Sequence, residues 1–160
     1  MNILICPGSA EDQKFKRWPI QNFIELINKL KLNDYDVQVV LGPEENYLSK
    51  NFSKLKVINS ASFNDLKIIS SQKDLIICND SFLMHFFCML GRKVLALYGP
   101  TISTRTLPLN AYKIEDRGLP ERKPCWGTNN YGKCNNGRCS CFDNLGVNKV
   151  FNECLRVLFL

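Results

Sequence analysis

With 160 residues, 45% of them apolar and 22% charged, the chain suits one domain around one core, which excludes a disordered chain, a solenoid or two separate domains. The net charge of +6 comes from Lys and Arg residues scattered along the sequence, so a solvated surface is expected and nucleic acid is not an expected partner. No apolar run reaches the length of a membrane span, and "MNILICPGSAEDQ" lacks the basic flank of a secretory signal; the expected location is the cytoplasm, including the periphery of the inner membrane.

In chain order, "NILIC" (2–6) predicts a buried strand that runs into the loop "CPGSAEDQKFKRWP". Pro19 suits a first helical turn, and Ile20, Phe23, Ile24, Ile27 and Leu30 recur at three- and four-residue steps, so a helix packs one face on a sheet. "YDVQVVL" (35–41) is a second strand closed by "GP", residues 44–50 a short helical stretch, and "KVIN" a third strand. Ser62 caps a helix that runs to Ser71, with Asp65 completing the capping pair. "DLIIC" (74–78) is continuously apolar, as a strand covered on both faces must be, and "SFLMHFFCML" is an apolar helix that Gly91 ends. "KVLALY" (93–98) and "YKIE" (112–115) read as a fifth and a sixth strand, and 147–159 as a terminal helix with Val150, Phe151, Cys154 and Leu158 on one face.

This alternation predicts an α/β fold: a Rossmann-like parallel sheet with helices on both faces, one domain over 1–160. In the commonest doubly wound order the first and fourth strands are neighbours where the winding reverses, and ligands bind beyond their carboxyl ends. The loop after strand one and the "CNDS" after strand four then face each other across one crevice.

Asp80 and Ser81 open a helix whose first N–H groups lack intrahelical partners, which makes either a side-chain cap or a phosphate site. His85, the only histidine, follows one turn later as either a hydrogen-bonded core residue or a ligand contact. Across the crevice, Ser9, Lys16 and Arg17 lie in the first loop, the two cations being either surface charges or partners of a diphosphate. Glu44 and Glu45 follow strand two, where an acidic group takes ribose hydroxyls or simply favours a helix start. Gly99, Pro100 and Thr101 follow strand five and line the other side of the pocket.

"KRWP" after "CPGS", then "NDSFLMH" with "LGRKVLALYGPT", and a Cys-rich stretch before a terminal helix resemble the donor-binding half of glycosyltransferase family 9, the lipopolysaccharide heptosyltransferases. The resemblance implies the C-terminal Rossmann-like domain of a GT-B enzyme that holds an ADP-heptose-like nucleotide sugar. It places Lys16 on the diphosphate as the catalytic group, Asp80, Ser81 and His85 on the donor's phosphates and sugar, and Glu44 or Glu45 on its ribose. Transfer to a lipopolysaccharide-type acceptor, with inversion and no required cofactor, is then the expected reaction. Phe82 departs from the family's glycine after Asp-Ser/Thr, and a ring there is expected to obstruct the backbone approach that glycine permits. The family carries its acceptor site and general base in a preceding domain, so an acceptor-domain chain is an expected partner, and a noncatalytic nucleotide-binding or interaction module is the alternative function.

Within the Cys-rich loop (120–144), Cys125, Cys134, Cys139 and Cys141 are either ligands of a structural zinc ion, free thiols or, when oxidised, a disulfide. Cys6, Cys78 and Cys88 lie in apolar runs and are expected as small core residues.

Overall fold

The structure, a computed structural model, describes residues 1–59, 61–116, 125–134 and 140–160. Six strands, β1 (Asn2–Cys6), β2 (Asp36–Leu41), β3 (Lys56–Asn59), β4 (Leu75–Asn79), β5 (Val94–Tyr98) and β6 (Ala111–Glu115), form one sheet in the order β3-β2-β1-β4-β5-β6. All five pairings are parallel, and the winding reverses between β1 and β4, whose Cys6 and Cys78 are register partners. The connections include the helices α1 (Ile20–Leu32), α2 (Phe63–Ser71), α3 (Phe82–Met89) and α4 (Ser103–Thr106), and α5 (Val147–Leu158) ends the chain.

The strand sequences dictate this layering. Ile3 and Ile5 of β1, Leu75 and Ile77 of β4, and Leu95 and Leu97 of β5 point to one face, where Phe23, Leu26, Ile27 and Leu30 of α1 and Val150, Phe151, Cys154 and Val157 of α5 cover them. Leu4 and Cys6, Ile76 and Cys78, and Val94, Ala96 and Tyr98 point to the other, against Leu66 of α2 and Met84, Phe87 and Cys88 of α3. Both faces of β4 and β5 are therefore sealed, which is why these strands carry no polar alternation. Burial raises the Cys6, Cys78 and Cys154 thiols well above their ordinary range and Cys88 to about 11, so these four are packing groups in a reduced core.

Three elements differ in detail from the expectation. The loop after β1 contains a 3₁₀ segment over Glu11–Lys16, and the stretch after β2 is a 3₁₀ helix over Pro43–Phe52. The terminal helix stops at Leu158. The Ser62 cap of α2 forms as expected: the Asp65 N–H donates to Ser62 Oγ at 3.2 Å, and Asp65 Oδ2 accepts from the Ser62 N–H at 3.0 Å.

One buried polar side chain fixes the loop after β1 to the end of β4. Asn79 is fully buried; its Nδ2 donates to Pro7 O at 2.8 Å and to Gly8 O at 3.2 Å, while Oδ1 accepts from the Trp18 backbone N–H at 2.9 Å. The Trp18 indole is also buried and donates to Leu145 O at 2.8 Å, so the loop is held at both its start and its finish. Asn79→Ala would leave the Trp18 N–H and the Pro7 and Gly8 carbonyls short of partners in a dry site. A loss of about 3 kcal/mol is expected in urea unfolding, against near-zero change for exposed Asn64→Ala.

Candidate functional site

At the start of α3 the backbone leaves its donors open. Ser81 is extended (φ −147°, ψ 172°) and no side chain accepts from the first turn, so neither Asp80 nor Ser81 caps the helix. The positive end of the helix dipole is therefore available. Ser81 Oγ and Asp80 Oδ2 are both buried and have no hydrogen-bond partner among the described residues. An unpartnered buried hydroxyl such as that of Ser81 costs about 1–3 kcal/mol, a cost that an acceptor on a ligand relieves.

Lys16 ends the 3₁₀ segment that follows β1 and turns toward this point. Its Nζ lies 3.3 Å from Asp80 Oδ2, with only 14% and 6% of the two side chains exposed. The ion pair crosses the gap between β1 and β4 and sets a cation beside the open amides of α3. Arg17, the neighbouring cation, is engaged differently. Its Nε donates to Ser9 Oγ at 3.1 Å, Nη2 donates to Ser9 O at 2.7 Å, Nη1 donates to the Tyr47 hydroxyl at 2.8 Å, and Nη2 lies 3.4 Å from Glu45 Oε1. Arg17 thus stitches the first loop to the segment after β2.

Glu45 completes that stitch. It is buried, and its Oε2 accepts from the Gly42 N–H at 2.9 Å. Its carboxylate lies directly over Gly8, where a Cβ would come within 1.8 Å of Oε1, so a larger residue there requires the Glu45 side chain to move. Glu44 is exposed. Both acids line a cavity of about 260 Å³ together with Ser9, Ser81 and Phe82. Lys16 and Asp80 are not on its lining, which reaches their corner through Ser81, the neighbour of Asp80, and its remaining wall is largely apolar, with Val40, Ala61 and Leu66.

Phe82 leaves this cavity open. The ring is 60% exposed and packs on Phe86 and Phe63, with centroids 5.9 and 5.7 Å away, so it forms part of the rim. His85 is exposed on α3, one turn beyond Ser81. Gly99, Pro100 and Thr101 are buried at the end of β5; a Cβ on Gly99 would stand 2.5 Å from the Phe142 ring, and Pro100 O accepts from the Trp126 N–H at 3.1 Å. This turn supports the segment that crosses above it and lies outside the 260 Å³ cavity. A larger groove of about 800 Å³ runs between α1 and the start of α5, and of the sequence-derived candidates it includes Arg17 alone.

Among the cysteines, Cys139 lies outside the described residues. Cys125, Cys134 and Cys141 are half-buried thiols outside any disulfide, and burial raises the Cys125 thiol above its ordinary value. Among the described residues no group of three or more His, Cys, Asp or Glu side chains is arranged to hold a metal ion, and no helix is long and apolar enough to cross a membrane. Asn79 and Trp18, which aim Lys16, are not among the residues singled out by sequence. A polar residue ending a fully apolar strand at the winding reversal is the signal that marks Asn79.

The profile of glycosyltransferase family 9 (heptosyltransferase) matches residues 1–134. Lipopolysaccharide heptosyltransferase 2 of Salmonella typhimurium is 32% identical over 117 residues, covering 66% of this chain and 33% of that protein. Among solved structures, the E. coli ADP-heptose lps heptosyltransferase II superposes with a TM-score of 0.78 at 22% identity, over 99% of this chain and 46% of that one. The E. coli heptosyltransferase WaaC with ADP-2-deoxy-2-fluoro heptose gives 0.70 at 18% identity, over 97% and 42%. The chain thus spans about a third of the curated relative and less than half of each solved chain.

The close approach at Gly8 gives a direct check on the site's geometry. Gly8→Ala is expected to cost about 2 kcal/mol in thermal or urea unfolding, and Glu45→Ala in the same chain to recover part of that loss by removing the obstructing carboxylate.

Proposed function

The chain belongs to glycosyltransferase family 9, and on that premise we propose that it is the C-terminal, donor-binding half of a heptosyltransferase-like enzyme, holding an ADP-heptose-like nucleotide sugar. The observation that carries this reading is the uncapped start of α3, where two buried oxygens without hydrogen-bond partners stand beside Lys16. A diphosphate supplies acceptor oxygens for the open amides and for the Ser81 hydroxyl, and its charge meets the Lys16 ammonium beside that of Asp80. The nucleoside occupies the 260 Å³ cavity, with Glu44 and Glu45 at hand for ribose hydroxyls and the apolar wall for the base. The relative solved with ADP-2-deoxy-2-fluoro heptose supports the choice of donor class.

In the proposed reaction the acceptor oxygen forms a bond to the anomeric carbon while the bond from that carbon to the β-phosphate oxygen breaks. Negative charge grows on the departing diphosphate, and the Lys16 ammonium with the α3 dipole stabilises it most at the transition state. Arg17, Ser9 and Glu45 hold the loop that presents Lys16. The acceptor and the base that takes its proton belong to an acceptor-side half supplied from elsewhere in the enzyme, and turnover requires it.

Titration calorimetry tests the binding half of this reading. ADP and an ADP-sugar are expected to bind in the micromolar to millimolar range, and Lys16→Ala or Asp80→Ala to weaken both by about tenfold or more. No heat with either ligand would refute it. Binding that survives both substitutions would move the diphosphate away from α3.

A further inference from the structure

Phe63 and Phe82 are the first residues of α2 and α3, so both stand at the carboxyl edge of the sheet, after β3 and β4. Solvent reaches 65% of the one and 60% of the other. Each ring is nevertheless packed on one side. Their centroids are 5.7 Å apart, and Phe86, one turn further along α3, backs both, at 5.5 Å from Phe63 and 5.9 Å from Phe82. Phe86 in turn meets the fully buried Phe87 edge-on at 5.5 Å, which ties the cluster to the core. Two apolar rings are thus held in place with much of their surface in water, an arrangement that is unfavourable until something apolar covers it.

Both rings line the 260 Å³ cavity, and the chemistry of the rest of its lining selects what covers them. Leu66 and Leu83 extend the apolar wall, while Ser81, Glu44 and Glu45 bring a hydroxyl and two carboxylates. An aliphatic chain would desolvate those polar groups without giving them partners, and a sugar alone would leave the rings bare. A further anion would be repelled by the two carboxylates. A flat π-system that carries hydroxyl donors satisfies both halves of the lining, and a nucleoside is that combination. The lining also includes Ser81, whose hydroxyl belongs to the diphosphate corner, so a base on the rings and a diphosphate at the start of α3 fall within one ligand.

We propose that Phe63 and Phe82 form a stacking wall for the nucleobase, and that this wall makes the site prefer a purine diphosphate to a pyrimidine diphosphate. Every base has a π-face to lay on the rings, and the larger face of a purine covers more of them. The inference rests on the reading of α3 as a diphosphate site. A glycine at position 82 would leave Phe63 alone on the rim, so the departure from the family's glycine adds a contact where an obstruction was expected.

Calorimetry with ADP, UDP and inorganic pyrophosphate, on the wild-type chain and on Phe63→Ala and Phe82→Ala, tests it. Each substitution is expected to weaken ADP about tenfold and UDP by less. Pyrophosphate affinity should stay unchanged, because the backbone amides of α3 and Lys16 are retained. Both rings are largely exposed, so the two variants are expected to melt close to the wild type. Phe82→Trp should keep the ADP affinity, and its indole fluorescence should respond to ADP, beyond any response of the wild type, and not to pyrophosphate. Wild-type ADP affinity in both alanine variants, or equal weakening of ADP and pyrophosphate, overturns the proposal and leaves the diphosphate reading standing. UDP bound as tightly as ADP by the wild type overturns the purine preference. Failure of the wild-type chain to bind ADP and pyrophosphate overturns both readings.

Discussion

The carboxamide of Asn79 is the constraint on which the site depends. A parallel sheet brings the ends of β1 and β4 together, but a loop leaving β1 is free to take many paths from there. Asn79 removes that freedom by donating to the carbonyls at the loop's start and accepting from the backbone at its finish, all inside a dry region where such bonds are costly to lose. Trp18, with its indole bound to Leu145 O, locks the same finish from the other side. Lys16 is two residues away from this anchor, and its reach to Asp80 follows from it.

Around that anchor the charges sort into two kinds. Arg17 and Glu45 face one another and, with Ser9, Tyr47 and Gly42, shape the crevice, and Arg17 has little donor capacity left for a ligand. Lys16 and Asp80 are under-bonded by comparison: an ion pair at 3.3 Å with an acceptor that takes no hydrogen bond, next to a helix start without a cap. Neighbouring residues of the same charge, Lys16 and Arg17, therefore do different work. The difference lies in how many donors the surroundings already satisfy.

Much of this was legible in the sequence because it depends on local pattern. The continuous apolar runs of β4 and β5, the three- and four-residue steps of α1 and α5, and the punctuation at Pro7-Gly8 and Gly99-Pro100 specify strands, helices and turns whose order leaves few topologies. The juxtaposition of the first loop with the start of α3 follows from that order. What stayed hidden depends on long-range geometry. Asp80-Ser81 before a helix spells a cap, yet neither side chain accepts from the first-turn amides. Phe82 reads as an obstruction until Phe63 and Phe86 are seen to hold its ring at the rim.

A crystal structure of the chain grown with ADP is the most direct measurement of the central relation, that one anion pocket joins the loop after β1 to the start of α3. The diphosphate is expected on the backbone amides of Phe82 and Leu83 with Lys16 Nζ in contact and the adenosine between Glu45 and Phe63. A diphosphate bound elsewhere, or Lys16 still paired with Asp80 and the corner unfilled at saturating ADP, would contradict it.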